Sequence, residues 1–169
     1  WNSDKLLSIS AIVLSLGTLV VFIYQTNLIR KHQYASVMPY LELGMAESGS
    51  PNAYYELENK GVGPALITDV KIHFKDQVFN ESPVSFLKSN FRSMLDSIGP
   101  TLTYSAIHPG MLVPANSSVI LFQSENSMVT ADTIYQIFAE QVEIEITYQS
   151  IFEETWRVRA KHLTPLKLN

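Results

Sequence analysis

The chain has 169 residues and a net charge of −4 at pH 7, and it contains no cysteine. The lack of cysteine excludes a disulfide-stapled secreted scaffold and a thiolate metal site. Because the first residue is Trp1 rather than methionine, we expect sequence upstream of it or a processed N-terminus.

Charge is unevenly distributed along the chain. Lys5, Arg30, Lys31 and Asp4 flank one apolar segment, and without these four the chain keeps nine basic and 15 acidic residues. The C-terminal part is therefore acidic. An acidic domain repels a phosphate backbone, so we expect no nucleic-acid partner.

Residues 6–29 carry no charge over 24 positions. About 20 apolar residues are enough to cross the hydrocarbon core of a bilayer. A signal peptide and a buried core helix are the competing interpretations. The run is longer than the apolar part of a signal peptide, and it ends at Tyr24 and the basic pair Arg30-Lys31. We predict a helix that spans the lipid bilayer, within a transmembrane and stem region at 1–38.

Small residues recur along one face of this predicted helix. Ser8, Ala11, Ser15 and Thr18 are spaced by three, four and three positions, which suits close packing against another helix. We predict self-association or contact with other membrane protein subunits through this stripe. The alternative is that the hydroxyls bond only their own backbone, four residues earlier.

The flanking charges predict the orientation of the helix. The basic pair after the apolar segment is uncompensated, whereas Lys5 before it is offset by Asp4. Because basic residues prefer the cytoplasmic side, we expect the C-terminal domain to face the cytoplasm.

After Pro39, alternation of apolar and polar residues predicts half-buried strands at 40–43 and 55–58, with a turn at 44–53. The next predicted turn contains Asn59, Gly61, Gly63 and Pro64, and we expect its glycines to supply positive φ. A strand at 66–75 follows, with a bulge where the alternation breaks near 67–70.

Four further elements follow in order. We predict one helix over 83–98, capped by Ser82 and ended by Gly99. Strands are expected at 101–107 and 118–123, and a short helix at 132–139. The clearest alternation predicts a closing β-hairpin with strands at 142–148 and 155–160.

Three stretches resemble the immunoglobulin-like domains of bacterial membrane-anchored proteins: the run Glu58–Ala65, the pair Pro109-Gly110 before a strand, and the closing hairpin segment 146–156 with Tyr148 before its turn. The resemblance implies an immunoglobulin-like antiparallel β-sandwich at 39–169, with one inserted helix, after an N-terminal transmembrane α-helix. It implies almost nothing about activity.

The sequence offers no catalytic or cofactor-binding motif. Gly61-Val62-Gly63 is too short for a nucleotide-binding loop, and Pro64 removes an amide, so a turn is the better interpretation. The four histidines lie too far apart for a helical metal motif. We therefore expect no catalytic, cofactor or metal site, and no enzyme.

The glutamates alternate with apolar residues, which predicts that they lie on the solvent faces of the sheet rather than as a catalytic pair. Neighbouring strands would then present an acidic face to a basic partner. His73 alternates in the same way and is also expected in solvent. The glutamates concerned are Glu42, Glu56, Glu58, Glu143, Glu145, Glu153 and Glu154.

These features favour a non-catalytic, membrane-anchored interaction module, an accessory or structural subunit of a membrane protein complex. The alternative is a membrane-tethered sensor whose loops, such as 49–53 or 108–116, bind a ligand. An enzyme is the third and least supported hypothesis, because no nucleophile or phosphate motif is present.

Overall fold

The computed structural model describes residues 2–162 and 164–168. The chain divides into two compact units, Trp1–Ser36 and Val37–Asn169. The first unit is a single helix, α1 (Ser3–Ser36), and none of its residues is buried. Within the described residues, α1 is the one helix long and apolar enough to cross a membrane, judged by length and composition. It extends past both ends of the predicted 6–29 segment.

The second unit is rich in antiparallel strands. The described residues form ten of them: β1 (Leu41–Ala46), β2 (Tyr54–Asn59), β3 (Ala65–Phe74), β4 (Gln77–Phe79), β5 (Leu102–Tyr104), β6 (Leu112–Val113), β7 (Ser117–Ser124), β8 (Glu143–Gln149), β9 (Thr155–Arg159) and β10 (Leu166–Lys167).

The strands form two sheets. In the first sheet the order is β1-β2-β7-β5, and in the second it is β10-β9-β8-β3-β4, with β6 also paired to β3. The predicted bulge in β3 is confirmed, because its register against β8 shifts between Ile67 and Asp69. The predicted closing hairpin is confirmed as β8 and β9.

Both sheets contribute to one hydrophobic core. Alternate residues of β1, β2 and β3 point inward, and the helices add aromatic side chains. This alternation is what a sheet with one apolar and one polar face requires. The largest fully buried side chains include Leu41 and Leu57 from the first sheet, Ile67, Ile144 and Tyr148 from the second, and Phe86 and Phe138 from the helices.

The predicted helix over 83–98 is wrong as a single element. It is two helices, α2 (Pro83–Asn90) and α3 (Arg92–Ile98), separated at Phe91, whose φ of −125° is not helical. The break directs the Phe91 ring towards Phe74 and Phe86, with centroids 5.4 and 6.0 Å away. The predicted start and end are confirmed: Ser82 Oγ accepts a hydrogen bond from Ser85 N, and α3 ends before Gly99.

The short helix predicted at 132–139 begins earlier and ends later. The helix α4 (Met128–Tyr135) is capped by Ser127, whose Oγ accepts from Thr130 N, and a wider π-helical turn continues it over Gln136–Gln141. This turn places Phe138 in the core, where its ring stacks between those of Phe122 and Tyr55.

Other predicted boundaries also need correction. β1 continues to Ala46, into the segment predicted as a turn, and the strand predicted at 101–107 is only β5. Three short strands, β4, β6 and β10, were not predicted. Each has only two or three residues, too few to display an alternating pattern.

Candidate functional site

The outer face of the second sheet carries a cluster of charged side chains from three adjacent strands. In the hairpin, Glu145 of β8 lies opposite Arg159 of β9, and Arg157 is two residues away on the same face. On the other side of β8, strand β3 brings His73 beside the same carboxylate. We call these four residues, Glu145, Arg157, Arg159 and His73, the arginine–glutamate cluster.

Glu145 lies at the centre of this cluster. Its carboxylate oxygen Oε2 accepts a hydrogen bond from Arg159 Nε at 2.6 Å and lies 3.1 Å from His73 Nε2. The other oxygen, Oε1, lies 3.5 Å from Arg157 Nε. The Glu145 side chain is only 5% exposed, whereas those of Arg157 and Arg159 are 34% and 33% exposed.

The prediction that Glu145 and His73 point freely into solvent is wrong. Both do lie on the outer face, but the long arginine side chains fold over the carboxylate and cover it, as guanidinium groups do when they pair with an acid. The pairing of Glu145 with Arg159 could have been predicted from the register of the hairpin. A connection of fixed length between β8 and β9 sets which of their residues lie opposite each other.

The glutamates do not form one continuous acidic face. Glu42 and Glu58 lie on the first sheet and share the ammonium group of Lys60, at 2.8 and 3.4 Å. Glu145 belongs to the second sheet and is neutralised by its arginines. The glutamates therefore lie on two different sheets, and Glu42, Glu58 and Glu145 each lie beside a cation.

Opposing effects set the charge state of Glu145. Burial by itself would raise its pKa, but the hydrogen bond and positive charge of Arg159, the charge of Arg157 and the hydrogen bond to His73 together lower it. The carboxylate is thus held ionised, and its negative charge fixes the position of the Arg159 guanidinium.

Replacing Glu145 with glutamine should lower the free energy of unfolding by about 2 kcal/mol at pH 7. Removing one partner of a fully buried ion pair usually costs more than about 2 kcal/mol, but the loss is smaller here because both arginines remain partly hydrated. Urea denaturation followed by the fluorescence of Trp156 measures the change. Glu143→Gln, two residues earlier on the same strand, is the control and should stay within about 0.5 kcal/mol of the parent.

The difference in unfolding free energy between the parent and Glu145→Gln should also depend on pH. The pKa of Glu145 is lower in the folded state than the value of 4.5 that applies to the unfolded chain. The ionised carboxylate therefore stabilises the fold fully at a pH above 4.5. This stabilisation is lost as the pH falls through the pKa of the folded state. The parent and Glu145→Gln should therefore converge below pH 4.5. A constant difference down to the acid transition would contradict this assignment.

A cavity of about 300 Å³ adjoins the arginine–glutamate cluster. Strand β9 and the segment after it form its walls, and the lining residues are Arg157, Arg159, His162, Thr164, Pro165 and Leu166. Arg157 Nε is buried and has no hydrogen-bond acceptor among the described residues. The cavity thus combines two guanidinium groups with two apolar side chains.

A second cavity, of about 370 Å³, lies beside the β1–β2 turn. Gly49 and Ala53, from the predicted ligand-binding loop at 49–53, line it together with Asp132 and Tyr135 of α4. Over the described part of the chain, no group of three or more His, Asp or Glu side chains is placed to hold a metal ion.

The predicted turn residues form a tight, buried structure. Asn59 is fully buried. Its Nδ2 donates to the carbonyl oxygens of Gly63, Val113 and Pro114, and its Oδ1 accepts from Gly61 N and Tyr40 N.

The prediction that Gly61 and Gly63 supply positive φ in this turn is wrong, because neither has a positive φ. They are needed because the backbone of the first domain residues passes against them. A Cβ on Gly63 would lie 1.8 Å from Val37 O, and one on Gly61 would lie 2.3 Å from Tyr40 N. Pro64 follows as the last residue before β3.

The predicted packing stripe lies on the exposed surface of α1. Ser8 Oγ donates to Asp4 O at 2.8 Å, and Thr18 Oγ1 donates to Leu14 O at 2.8 Å. These two hydroxyls therefore bond their own backbone, while Ala11 and Ser15 between them leave a shallow, small-residue surface. Packing of another helix on this surface stays a prediction.

Comparisons with protein-family models, with curated proteins and with solved structures find no match to this chain.

Proposed function

We propose that this chain is a non-catalytic interaction module, anchored in a membrane by α1, that acts as an accessory or structural subunit of a membrane protein complex. The observation that carries the proposal is the apolar surface of α1. Side chains such as Leu7 and Leu14 are 68% and 70% exposed, and no residue of the helix is buried. Such a surface requires lipid or a partner helix to cover it.

The strand order supports an immunoglobulin-like sandwich for the domain. An immunoglobulin fold has strands A, B, E and D in one sheet and C, F and G in the other, with C′ added beside C in the variable type. Lettered in chain order with β6 and β10 left out, β1-β2-β7-β5 corresponds to A-B-E-D, and β9-β8-β3-β4 to G-F-C-C′. The domain departs from this pattern in lacking the disulfide, in the extra short strands β6 and β10, and in carrying helices between β4 and β5 and between β7 and β8.

The basic pair Arg30-Lys31 supports a cytoplasmic position for the domain, because basic residues are retained on that side. Cysteine labelling of the full chain in sealed vesicles tests the side, with a single cysteine introduced at the exposed Asn52. Labelling of intact inside-out vesicles, but not of right-side-out ones, is the expected result. Release of the domain by alkaline carbonate, with a shortened N-terminus, would identify α1 as a cleaved signal sequence instead.

Assembly through α1 is tested on the full chain extracted from membranes in mild detergent. We expect a particle larger than one chain on native electrophoresis. Ala11→Leu with Ser15→Leu should dissociate it, because the larger side chains separate the helix backbones. Ser10→Leu is the control, since Ser10 lies about 120° around the helix from the stripe at 3.6 residues per turn. A chain that runs as a lone monomer in every mild detergent contradicts the proposal.

The second candidate function is a membrane-tethered sensor or ligand-binding domain. The cavity beside the β1–β2 turn favours it, because residues of one predicted ligand loop line that cavity. A thermal-shift screen of the full chain against small-molecule classes tests this function, with Tyr135→Ala as the site variant. Stabilisation that Tyr135→Ala abolishes would support it, and no stabilisation by any class would count against it.

A further inference from the structure

We propose that Arg157 and Arg159 form a binding site for a carboxylate ligand in the cavity that they line. The ligand class is a small monocarboxylate with a short apolar chain. The proposal concerns the outer face of the second sheet. It depends neither on the anchoring of α1 nor on assembly of the chain.

The strand geometry places two forked donors side by side. Arg157 and Arg159 are two residues apart on β9, so their side chains leave the same face of the sheet about 7 Å apart at the backbone. Both line the cavity of about 300 Å³. A guanidinium presents its N–H groups in a planar fork that matches the two oxygens of a carboxylate.

Glu145 does not use the full donor capacity of this pair. Arg159 makes close hydrogen bonds to Glu145 Oε2, but Arg157 Nε is 3.5 Å from Oε1 and has no acceptor. Because Arg157 Nε itself is buried, a carboxylate in the cavity would contact the exposed part of the Arg157 side chain, which is 34% exposed overall. Glu145 meanwhile holds Arg159 in place, so the site is partly organised before a ligand arrives.

The donors and the walls of the cavity favour a monoanion. Asp69 lies 2.9 Å from Lys71 Nζ, and Glu154 pairs with Lys167, so these two acids already have cations. Glu143, two residues before Glu145 on β8, adds a second carboxylate to the same face. Because these carboxylates reduce the positive charge of the face, a monocarboxylate fits the two guanidinium groups better than a phosphate dianion.

The remaining walls fit the rest of such a ligand. His162 and Thr164 add polar groups to the wall of the cavity, and Pro165 and Leu166 add apolar surface. Apolar walls exclude water and strengthen charge-assisted hydrogen bonds. A cavity of this volume, at the lower end of the range for small-molecule sites, accommodates a carboxylate with a few methylene groups.

The test uses the full chain in a non-ionic detergent. Sodium butyrate is titrated calorimetrically, with sodium chloride used to hold the ionic strength constant, and inorganic phosphate is titrated in parallel. We expect saturable butyrate binding that is tighter than phosphate binding. Arg157→Gln should weaken butyrate binding about tenfold or more, which is the effect of losing one charge-assisted hydrogen bond.

Lys71→Gln is the matched control. It removes one positive charge from the same face, but Lys71 does not line the cavity. The butyrate affinity of this variant should stay within about twofold of that of the parent. If Arg157→Gln fails to fold, Arg157→Lys keeps the charge but loses the fork and should still weaken binding. Equal butyrate binding by the parent and both Arg157 variants would overturn the proposal, as would no binding by the parent. Tighter binding of phosphate than of butyrate would overturn the carboxylate assignment.

Discussion

Replacing Gly63 with alanine is expected to destabilise the domain by on the order of 3 kcal/mol. A Cβ at this position would lie 1.8, 2.4 and 2.9 Å from the O, C and Cα atoms of Val37. All three are backbone atoms, so a side-chain rotation cannot relieve the overlap. The segment at 37–40 would have to move away from the turn and break the hydrogen bonds from Val62 N and Gly63 N to Met38 O.

Urea denaturation followed by Trp156 fluorescence measures this effect, since Trp156 lies in the domain and the other tryptophan, Trp1, lies outside it. Gly44→Ala is the control, because nothing lies within 4 Å of a Cβ added there, in strand β1. It should leave stability unchanged or raise it slightly, by reducing the entropy of the unfolded chain. Equal losses at Gly63 and Gly44 would show that close approach of Val37 is not the reason for the glycine.

Replacing Asn59 with alanine is expected to cost about 3 kcal/mol or more. Its amide group connects backbone atoms from three parts of the chain, accepting from Tyr40 N and Gly61 N and donating to carbonyl oxygens that include Val113 and Pro114. Alanine removes all of these bonds and leaves buried backbone groups without partners.

Two further variants sharpen the test of Asn59. Asn59→Asp keeps Oδ1 but replaces the donating Nδ2 with an acceptor that faces three carbonyl oxygens, so it should be at least as damaging as alanine. Asn52→Ala is the control. Asn52 also accepts a hydrogen bond from a backbone amide, Asn126 N, but it is exposed and should change stability by about 1 kcal/mol at most. A small loss for Asn59→Asp would show that Nδ2 is not needed.

The elements that could be predicted from the sequence are those whose pattern is local. The charge-free run in α1 and the alternation in β8 and β9 repeat over many residues, so length and period are enough to identify them. The break in the helix at Phe91 could not be predicted. The spacing of apolar residues continues through it, and the break results from packing of the Phe91 ring on Phe74, which belongs to another element.

The candidate site shows the same contrast between features set by local sequence and features set by contacts with distant elements. Asn59, Gly61, Gly63 and Pro64 could be identified as one turn from their composition, but their tight contacts with Val37 and Tyr40 depend on a segment about 20 residues earlier. The alternation of β8 placed Glu145 on the outer face. It could not show that two arginines would cover it, because burial of a carboxylate is decided by the neighbouring strand.

The pairing of β3 with β8 also has a consequence for synthesis of the protein. The second sheet depends on contacts such as His73 with Glu145, which are 72 positions apart, and Leu41 N reaches the Tyr148 hydroxyl across 107 positions. At about 5–20 residues per second, β3 waits several seconds on the ribosome before its partner is made. During that interval the edge of β3 that faces β8 in the folded domain is unpaired, and it is open to pairing with other nascent chains. We therefore expect the domain to be more prone to aggregation before translation ends than after it has folded.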